Sequence, residues 1–141
     1  MNNTYQSLYN GYLKANKEDV ARVARSRFES IIENVKRKTG DEDLAFRTAL
    51  VAFSSFVVID NNLSQEEWAL FQYILQKKIS HEEIVQICKC AEDCRGVQII
   101  KREMEINKQF KEDVIGLGLC VCAIDGNISP DEDKLIQYYI N

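Results

Sequence analysis

Five carboxylates stand at spacings that suit the binding of a metal ion. Asp60 and Glu67 lie seven residues apart, and the same spacing recurs 65 positions later in Asp125 and Glu132, with Asp131 beside the second glutamate. Carboxylate oxygens, joined by backbone carbonyls, are the ligands that hard divalent cations take in proteins. The sequence therefore predicts a candidate site for calcium or magnesium at Asp125, Asp131, Glu132, Asp60 and Glu67.

The glutamates also have a structural interpretation, since each follows a serine by three residues. Ser64 precedes Glu67 and Ser129 precedes Glu132, and a third Ser-x-x-Glu sequence begins at Ser80. This is the capping box, in which each side chain accepts a hydrogen bond from the other residue's backbone amide at a helix start. Pro130 suits the first helical position, where its missing N–H costs nothing. The pattern predicts three helix starts, with metal ligation as an additional role.

The aspartates stand at an electrostatically unfavourable place. Asp60 and Asp125 both follow an apolar run, where the negative end of a helix dipole disfavours a carboxylate by roughly 0.3–1 kcal/mol. One explanation is an Asx-type turn, with Asn61 or Gly126 in the left-handed conformation. The other is a cation bound by Asp125, backbone carbonyls and an acidic neighbour. The residues leave both explanations open.

An internal repeat surrounds these loops. At a shift of 65 residues, eight of fifteen positions are identical between IDNNLSQEEWALFQY, from Ile59, and IDGNISPDEDKLIQY, from Ile124. An apolar segment precedes each copy and an amphipathic one follows it. We therefore predict two related helix–loop–helix units, residues 44–76 and 109–140, about a pseudo-two-fold axis. Gly116 and Gly118 lower helix propensity and mark a predicted close helix contact.

The segment Ile-Asp-Gly-Asn-Ile-Ser-x-x-Glu between two such helices resembles the TerB-like family of tellurite-resistance and stress-response domains, also found in DnaJ-type co-chaperones. The resemblance covers residues 44–141. It implies a compact helical domain of two halves, a divalent cation in the acidic loops, and action in protein complexes near the membrane, without a known enzymatic reaction. An EF-hand is disfavoured, because its first and third ligand positions would be Val121 and Ala123, which offer no side-chain oxygen.

Composition sets the fold class. With 45% apolar residues and one proline in 141, the chain is predicted to be all-α, a single bundle of seven to eight helices over residues 1–141. Apolar spacing and capping signals predict helices over 5–13, 18–38, 41–59, 65–77, 81–95, 97–104, a seventh ending at 124, and 130–140. The N-terminal tyrosines Tyr5, Tyr9 and Tyr12 either pack on the core or form a docking stripe.

The net charge and the composition of the first residues limit the kinds of partner and the location that we expect. The net charge of −4 disfavours nucleic acid, whose backbone attracts basic surfaces. Residues 14–38 carry +4, which fits a solvated helix face or, alternatively, a patch for an anionic surface such as a membrane. The first twelve residues are too polar for a signal peptide, and no apolar run is long enough for a transmembrane segment. We expect a cytoplasmic protein that acts on protein partners.

Thiols and the lone histidine give little support to enzymatic chemistry. Five cysteines, an odd number, favour reduced thiols. A zinc site of Cys88, Cys90 and Cys94 with His81 is disfavoured, because side chains two residues apart on a helix point about 200° apart. Cys120 and Cys122 are predicted to pack as small apolar groups. The two remaining hypotheses are a cation-binding stress-response module and a metal-free helical adaptor.

Overall fold

Eight helices follow one another along the residues that the computed structural model describes, which are 3–58, 64–76, 80–93 and 96–141. The predicted all-α class is confirmed, and most predicted helix bounds are correct within two residues. The helices are α1 Asn3–Lys14, α2 Lys17–Thr39, α3 Glu42–Val58, α4 Gln65–Leu75, α5 His81–Asp93, α6 Gly96–Ile106, α7 Lys108–Asp125 and α8 Pro130–Ile140.

Helix α2 shows how local chemistry sets the ends of an element. Asn16 precedes it and accepts a 2.8 Å hydrogen bond from the amide of Asp19, which caps the first turn. Gly40 ends the helix with φ of 71°, and its N–H donates to the carbonyl of Lys36 at 2.7 Å. Gly40 therefore caps the C-terminal end of α2 in the left-handed conformation.

Helix α7 lies at the centre of the packing. Every residue from Asp113 to Ile124 is buried. Helix α2 packs most extensively against it and α3. Helix α3 is also largely apolar, but Leu44 and Phe46 in its first half are 38% and 41% exposed. The more complete burial therefore belongs to α7.

A chain of aromatic rings joins the helices around α3. Phe53 stacks on Phe71 of α4 at 4.4 Å between centroids and meets the edge of Phe28 of α2 at 6.2 Å. Phe56 contacts Tyr139 of α8 edge-on at 5.7 Å. Such contacts add about 0.5–1.5 kcal/mol each beyond the buried area. These rings hold the loop-bearing helices in place.

The two glycines of α7 make different close contacts. Gly118 lies against the ring of Phe56 on α3, so its prediction as a close helix contact is confirmed. Gly116 instead faces the side chain of Arg27, whose Nε would lie 2.8 Å from an added Cβ. This glycine leaves room for a guanidinium beside α7.

The first and last helices are both fastened to the bundle. Tyr9 of α1 is 6% exposed, which favours core packing over a docking stripe. At the end of α8, Lys111 donates to the carbonyl of Ile140 at 2.8 Å, and Lys101 reaches the carbonyl of Tyr139 at 3.4 Å. None of the helices in the described ranges is both long and apolar enough to cross a membrane.

Candidate functional site

The first acidic loop ends in a complete capping box. Ser64 accepts a hydrogen bond from the amide of Glu67 at 3.0 Å, and the amide of Ser64 donates to Glu67 Oε1, also at 3.0 Å. Glu67 is 1% exposed. Its carboxylate is therefore a buried part of the start of α4, as the serine–glutamate spacing predicted.

The second loop repeats this arrangement and adds a thiol. The amide of Ser129 donates to Glu132 Oε1 at 2.9 Å, and Glu132 donates its own amide to Ser129 Oγ at 3.1 Å. Pro130 opens α8 at the predicted position. Cys122 of α7 donates from Sγ to Glu132 Oε2 at 3.1 Å, and both residues are buried. Cys122 was predicted as an apolar packing residue, but it is also a hydrogen-bond donor to a buried carboxylate.

Asp125 links the two loops. It is the last residue of α7, and Ser64 Oγ of the other loop donates to its Oδ1 at 2.7 Å. Gly126 follows with φ of 91° and donates its N–H to the carbonyls of Cys122 and Ala123, so the predicted left-handed position is confirmed. The serine hydroxyl thus caps α4 and neighbours the carboxylate at the end of α7. The structure thus brings together Ser64 and Asp125, which lie 61 residues apart in sequence.

The five predicted metal ligands do not all meet. Glu67 and Glu132 are buried on the first turns of α4 and α8 and Asp125 ends α7, whereas Asp131, also on the first turn of α8, is exposed. Asp60 lies outside the described residues. Within the described ranges, no three acidic, cysteine or histidine side chains are grouped in a way that could hold a metal ion.

The carboxylates near the linked loops all influence the pKa of the Cys122 thiol. Burial raises the pKa of the Cys122 thiol well above its usual value, and the negative charges of Glu132, Asp125 and Glu67 raise it further. A thiol so far from ionisation is a poor nucleophile. The electrostatic field of this region therefore opposes thiolate chemistry at Cys122.

The other cysteine of α7 is equally unreactive. Cys120 is fully buried, and desolvation raises the pKa of its thiol to about 12. Both thiols are free, as predicted. The side chains of His81, Cys88 and Cys90, and all of Cys94, lie outside the described part of the chain, so the expectation of no zinc site stays a prediction. Ser80 accepts from the amide of Glu83 at 3.1 Å, as a helix cap should.

A partly buried ion pair between α2 and α7 was not foreseen from the sequence. Asp113, 2% exposed, accepts from Arg27 Nη1 of α2 at 3.0 Å and from Ser30 Oγ at 2.6 Å. Gln109 donates to the same carboxylate at 3.2 Å. The available signal was Asp113 opening an apolar run, with Gly116 one turn later leaving space for the arginine. Buried carboxylates are found paired in this way because an isolated charge costs several kcal/mol.

Ion pairs within the structure use much of the basic segment 14–38. At least five of its eight basic residues are paired, namely Arg22 with Asp19, Arg25 with Glu29, Arg27 with Asp113, Lys36 with Glu42 and Lys38 with Glu103. The acidic partners of these residues offset most of the excess positive charge of the segment. This arrangement favours a solvated helix face over a cationic patch for an anionic surface.

An apolar groove lies beside the linked loops, between α2 and α4. Its volume is about 500 Å³. The floor consists of small and apolar side chains, Ala21, Ala69, Leu70, Tyr73 and Ile124. Charges of both signs stand at the rim, Lys17, Glu18, Arg22 and Glu66. Since Ile124 and Glu66 adjoin Asp125 and Glu67 in sequence, the groove and the linked loops are neighbouring parts of one surface.

The comparisons with known proteins give no relative. No protein-family model, curated protein or solved structure matches this chain significantly.

Proposed function

We propose that this chain is a non-enzymatic helical adaptor of the TerB-like, stress-response and tellurite-resistance kind, acting in the cytoplasm by binding another protein. The repeated loop sequence supports the resemblance, and the bond between Ser64 and Asp125 supports two units whose loops meet about a pseudo-two-fold axis. One observation carries the proposal. The carboxylates of Glu67 and Glu132 are buried in helix caps, while an apolar groove next to them is open.

The groove suits an amphipathic helix from the partner. It is lined by residues 17–22 of α2 and 66–73 of α4, and the small side chains of Ala21 and Ala69 leave room for a third helix to approach closely. A helix bound in a groove inserts apolar side chains at i, i+3, i+4 and i+7. Because the rim carries Lys17 and Arg22 as well as Glu18 and Glu66, the complementary helix carries both signs of charge at its flanks.

A peptide library tests this adaptor function. Amphipathic helical peptides with randomised apolar anchors are selected against the wild-type protein, and binding is measured by fluorescence anisotropy. We expect the selected peptides to bind Ala69→Arg at least tenfold more weakly, because the new side chain fills the groove from an exposed position. Ser26→Arg, an equal change of charge on the exposed face of α2, is the matched control and should bind normally. Peptides that bind both variants equally would contradict the groove assignment.

A second candidate function is cation binding at the linked loops. It is favoured by one observation, the position of the Asp125 carboxylate beside Ser64, the residue that caps the helix after the first acidic loop. Calcium or magnesium would bind through Asp125 with Asp131, Glu132, Asp60 and Glu67 as the sequence-predicted ligands. Glu67 and Glu132 would share their oxygens with the capping amides.

Thermal unfolding separates the two candidates. If a cation binds only the folded loops, a concentration about 100 times its Kd stabilises the fold by about 2.7 kcal/mol, which raises Tm by several degrees. Asp125→Asn should abolish that gain. A Tm that stays unchanged in millimolar calcium, magnesium or manganese and after chelation would leave the metal-free adaptor.

A further inference from the structure

The N-terminal helix α1 has little helical stability of its own. Five of its twelve residues, Asn3, Thr4, Ser7, Asn10 and Gly11, are weak helix formers. An isolated helix of this length is marginal in water even with a favourable sequence. Its structure therefore depends on what it packs against.

Few buried side chains hold α1 against the rest of the bundle. Helix α1 packs chiefly on α7, and Tyr9 is its one buried residue among those described, with Tyr5, Leu8 and Tyr12 partly buried. By contrast, α2 buries five residues along its length. Local opening occurs where few apolar contacts hold an element. Helix α1 meets this condition, since Tyr9 is its one buried side chain among the described residues.

Polar groups also take part where α1 packs on the bundle. The Tyr12 hydroxyl lies beside the Cys120 thiol and the Arg27 guanidinium, and the Tyr9 hydroxyl lies near Cys122 and Glu132. Each of these groups regains water when α1 leaves. Opening therefore costs less free energy than separating an apolar interface of equal area.

The junction with α2 allows α1 to leave alone. Ala15 and Asn16 are the two residues between the helices. Asn16 caps α2 through its side chain and the amide of Asp19, using no atom of α1. The start of α2 stays capped whether or not α1 is in place.

We propose that α1 is a latch that opens as a unit while α2–α8 stay folded, and that this opening controls solvent access to Cys120 and Cys122 on α7 and to Arg27 on α2. In the closed state both thiols are buried and inert. In the open state they meet water, with the Arg27 cation close to Cys120. This device is separate from the groove between α2 and α4, so neither proposal depends on the other.

Hydrogen exchange on the wild-type protein tests the latch directly. We expect peptides from residues 3–14 to exchange at least tenfold faster than those from residues 113–124, with a weaker dependence on denaturant, because a small unit exposes less surface. Exchange of both regions at one rate and with one denaturant dependence would overturn the proposal.

A matched pair of variants then tests whether the latch guards the thiols. Iodoacetamide alkylation, in which a thiolate displaces iodide, is followed at each cysteine by tandem mass spectrometry. Tyr9→Ala should speed labelling of Cys120 and Cys122 by about tenfold or more, because the helix loses its buried anchor. Tyr138→Ala removes a 44% exposed tyrosine from α8 and should leave both rates unchanged. Equal acceleration by both variants, or labelling that keeps pace with global unfolding, would overturn the latch.

Discussion

The loops after α3 and α7 share one capping chemistry in different surroundings. Glu67 and Glu132 are both buried and both accept from the amide of a capping serine. Only Glu132 has a thiol donor on the preceding helix. The residue 65 positions before Cys122 is Val57, which is apolar and buried.

The same contrast extends along the two central helices. Cys120 corresponds to Ser55, which donates to the carbonyl of Ala52 at 2.8 Å, and the buried Asp113 corresponds to the half-buried Thr48. Helix α7 therefore carries titratable groups where α3 carries neutral ones. A short capping motif can recur unchanged because its bonds are local, whereas the buried helix before it is shaped by its own neighbours.

The largest expected difference is in the dependence on pH. An unfolded thiol loses its proton near pH 9, whereas Cys120 and Cys122 keep theirs in the fold because burial raises their pKa. Below pH 9 the unfolding free energy is therefore independent of these thiols. Above pH 9 the unfolded state binds fewer protons, so stability falls by about 1.4 kcal/mol per pH unit for each thiol.

Urea unfolding between pH 7 and 10, with a reductant present, measures this loss. The double variant C120S/C122V gives α7 the residues that α3 has at the corresponding positions and should flatten the profile in that range. Tyr139, whose pKa is raised to about 12, adds its own decline only above pH 10. If the stability of the double variant still falls with pH as steeply as that of the wild type, groups other than these two thiols cause the dependence on pH.

The buried ion pair should give the next largest effect. Arg27→Met leaves the Asp113 carboxylate buried without its cation and should cost about 3 kcal/mol, the low end for such a pair, because Ser30 and Gln109 still donate. Arg22→Met, the same change at an exposed pair with Asp19, should cost about 0.5 kcal/mol or less. Chemical denaturation measures both, and equal costs would show that Asp113 does not need the arginine.

The two capping serines should differ by a smaller amount. Ser129→Ala removes a helix cap, at about 1 kcal/mol. Ser64→Ala removes a cap and the hydroxyl that donates to Asp125, so we expect about 2 kcal/mol. A double-mutant cycle of Ser64→Ala with Asp125→Ala isolates the bond between the loops, because neither variant can form it. A coupling energy near zero would mean that the bond adds no stability.

The glycines of α7 should differ by a similar amount. Gly118→Ala places a methyl group against the Phe56 ring, and the overpacking should cost about 1–2 kcal/mol. Gly116→Ala meets only the flexible Arg27 side chain, and a gain in helix propensity of about 1 kcal/mol offsets the displacement. Thermal unfolding should therefore separate the two substitutions, and a greater loss at Gly116 would mean that Arg27 cannot move.

The sequence predicted the parts of this structure that depend on neighbouring residues. Ser64, Ser129, Gly40 and Gly126 act within a few positions of themselves, so their spacing alone indicates where helices start and end. Superposition of residues 44–76 on residues 109–140 tests the predicted repeat. Strongly different geometry of the two units would contradict it.

Contacts across the bundle were harder to foresee. Ser64 with Asp125 and Arg27 with Asp113 join residues 61 and 86 positions apart, and no local spacing indicates which polar side chains will face each other. Cys122 was predicted to pack as an apolar residue because its neighbours are apolar. Its thiol instead donates a hydrogen bond to Glu132, the capping glutamate of α8. The groove also depends on how α2 lies beside α4, which the helical periodicity of each helix does not specify.

The packing of α2 on α7 bears on the order in which the chain folds. Helical bundles fold fast when their contacts are local, but the pair of Arg27 and Asp113 closes a segment of 86 residues. Closing so long a segment is entropically costly, and each doubling of its length adds about 0.6 kcal/mol. Such a contact is expected to form late, after the hairpins around the capped loops. Weakening it should then leave the refolding rate nearly unchanged and speed unfolding, so this ion pair governs how long the native state lasts.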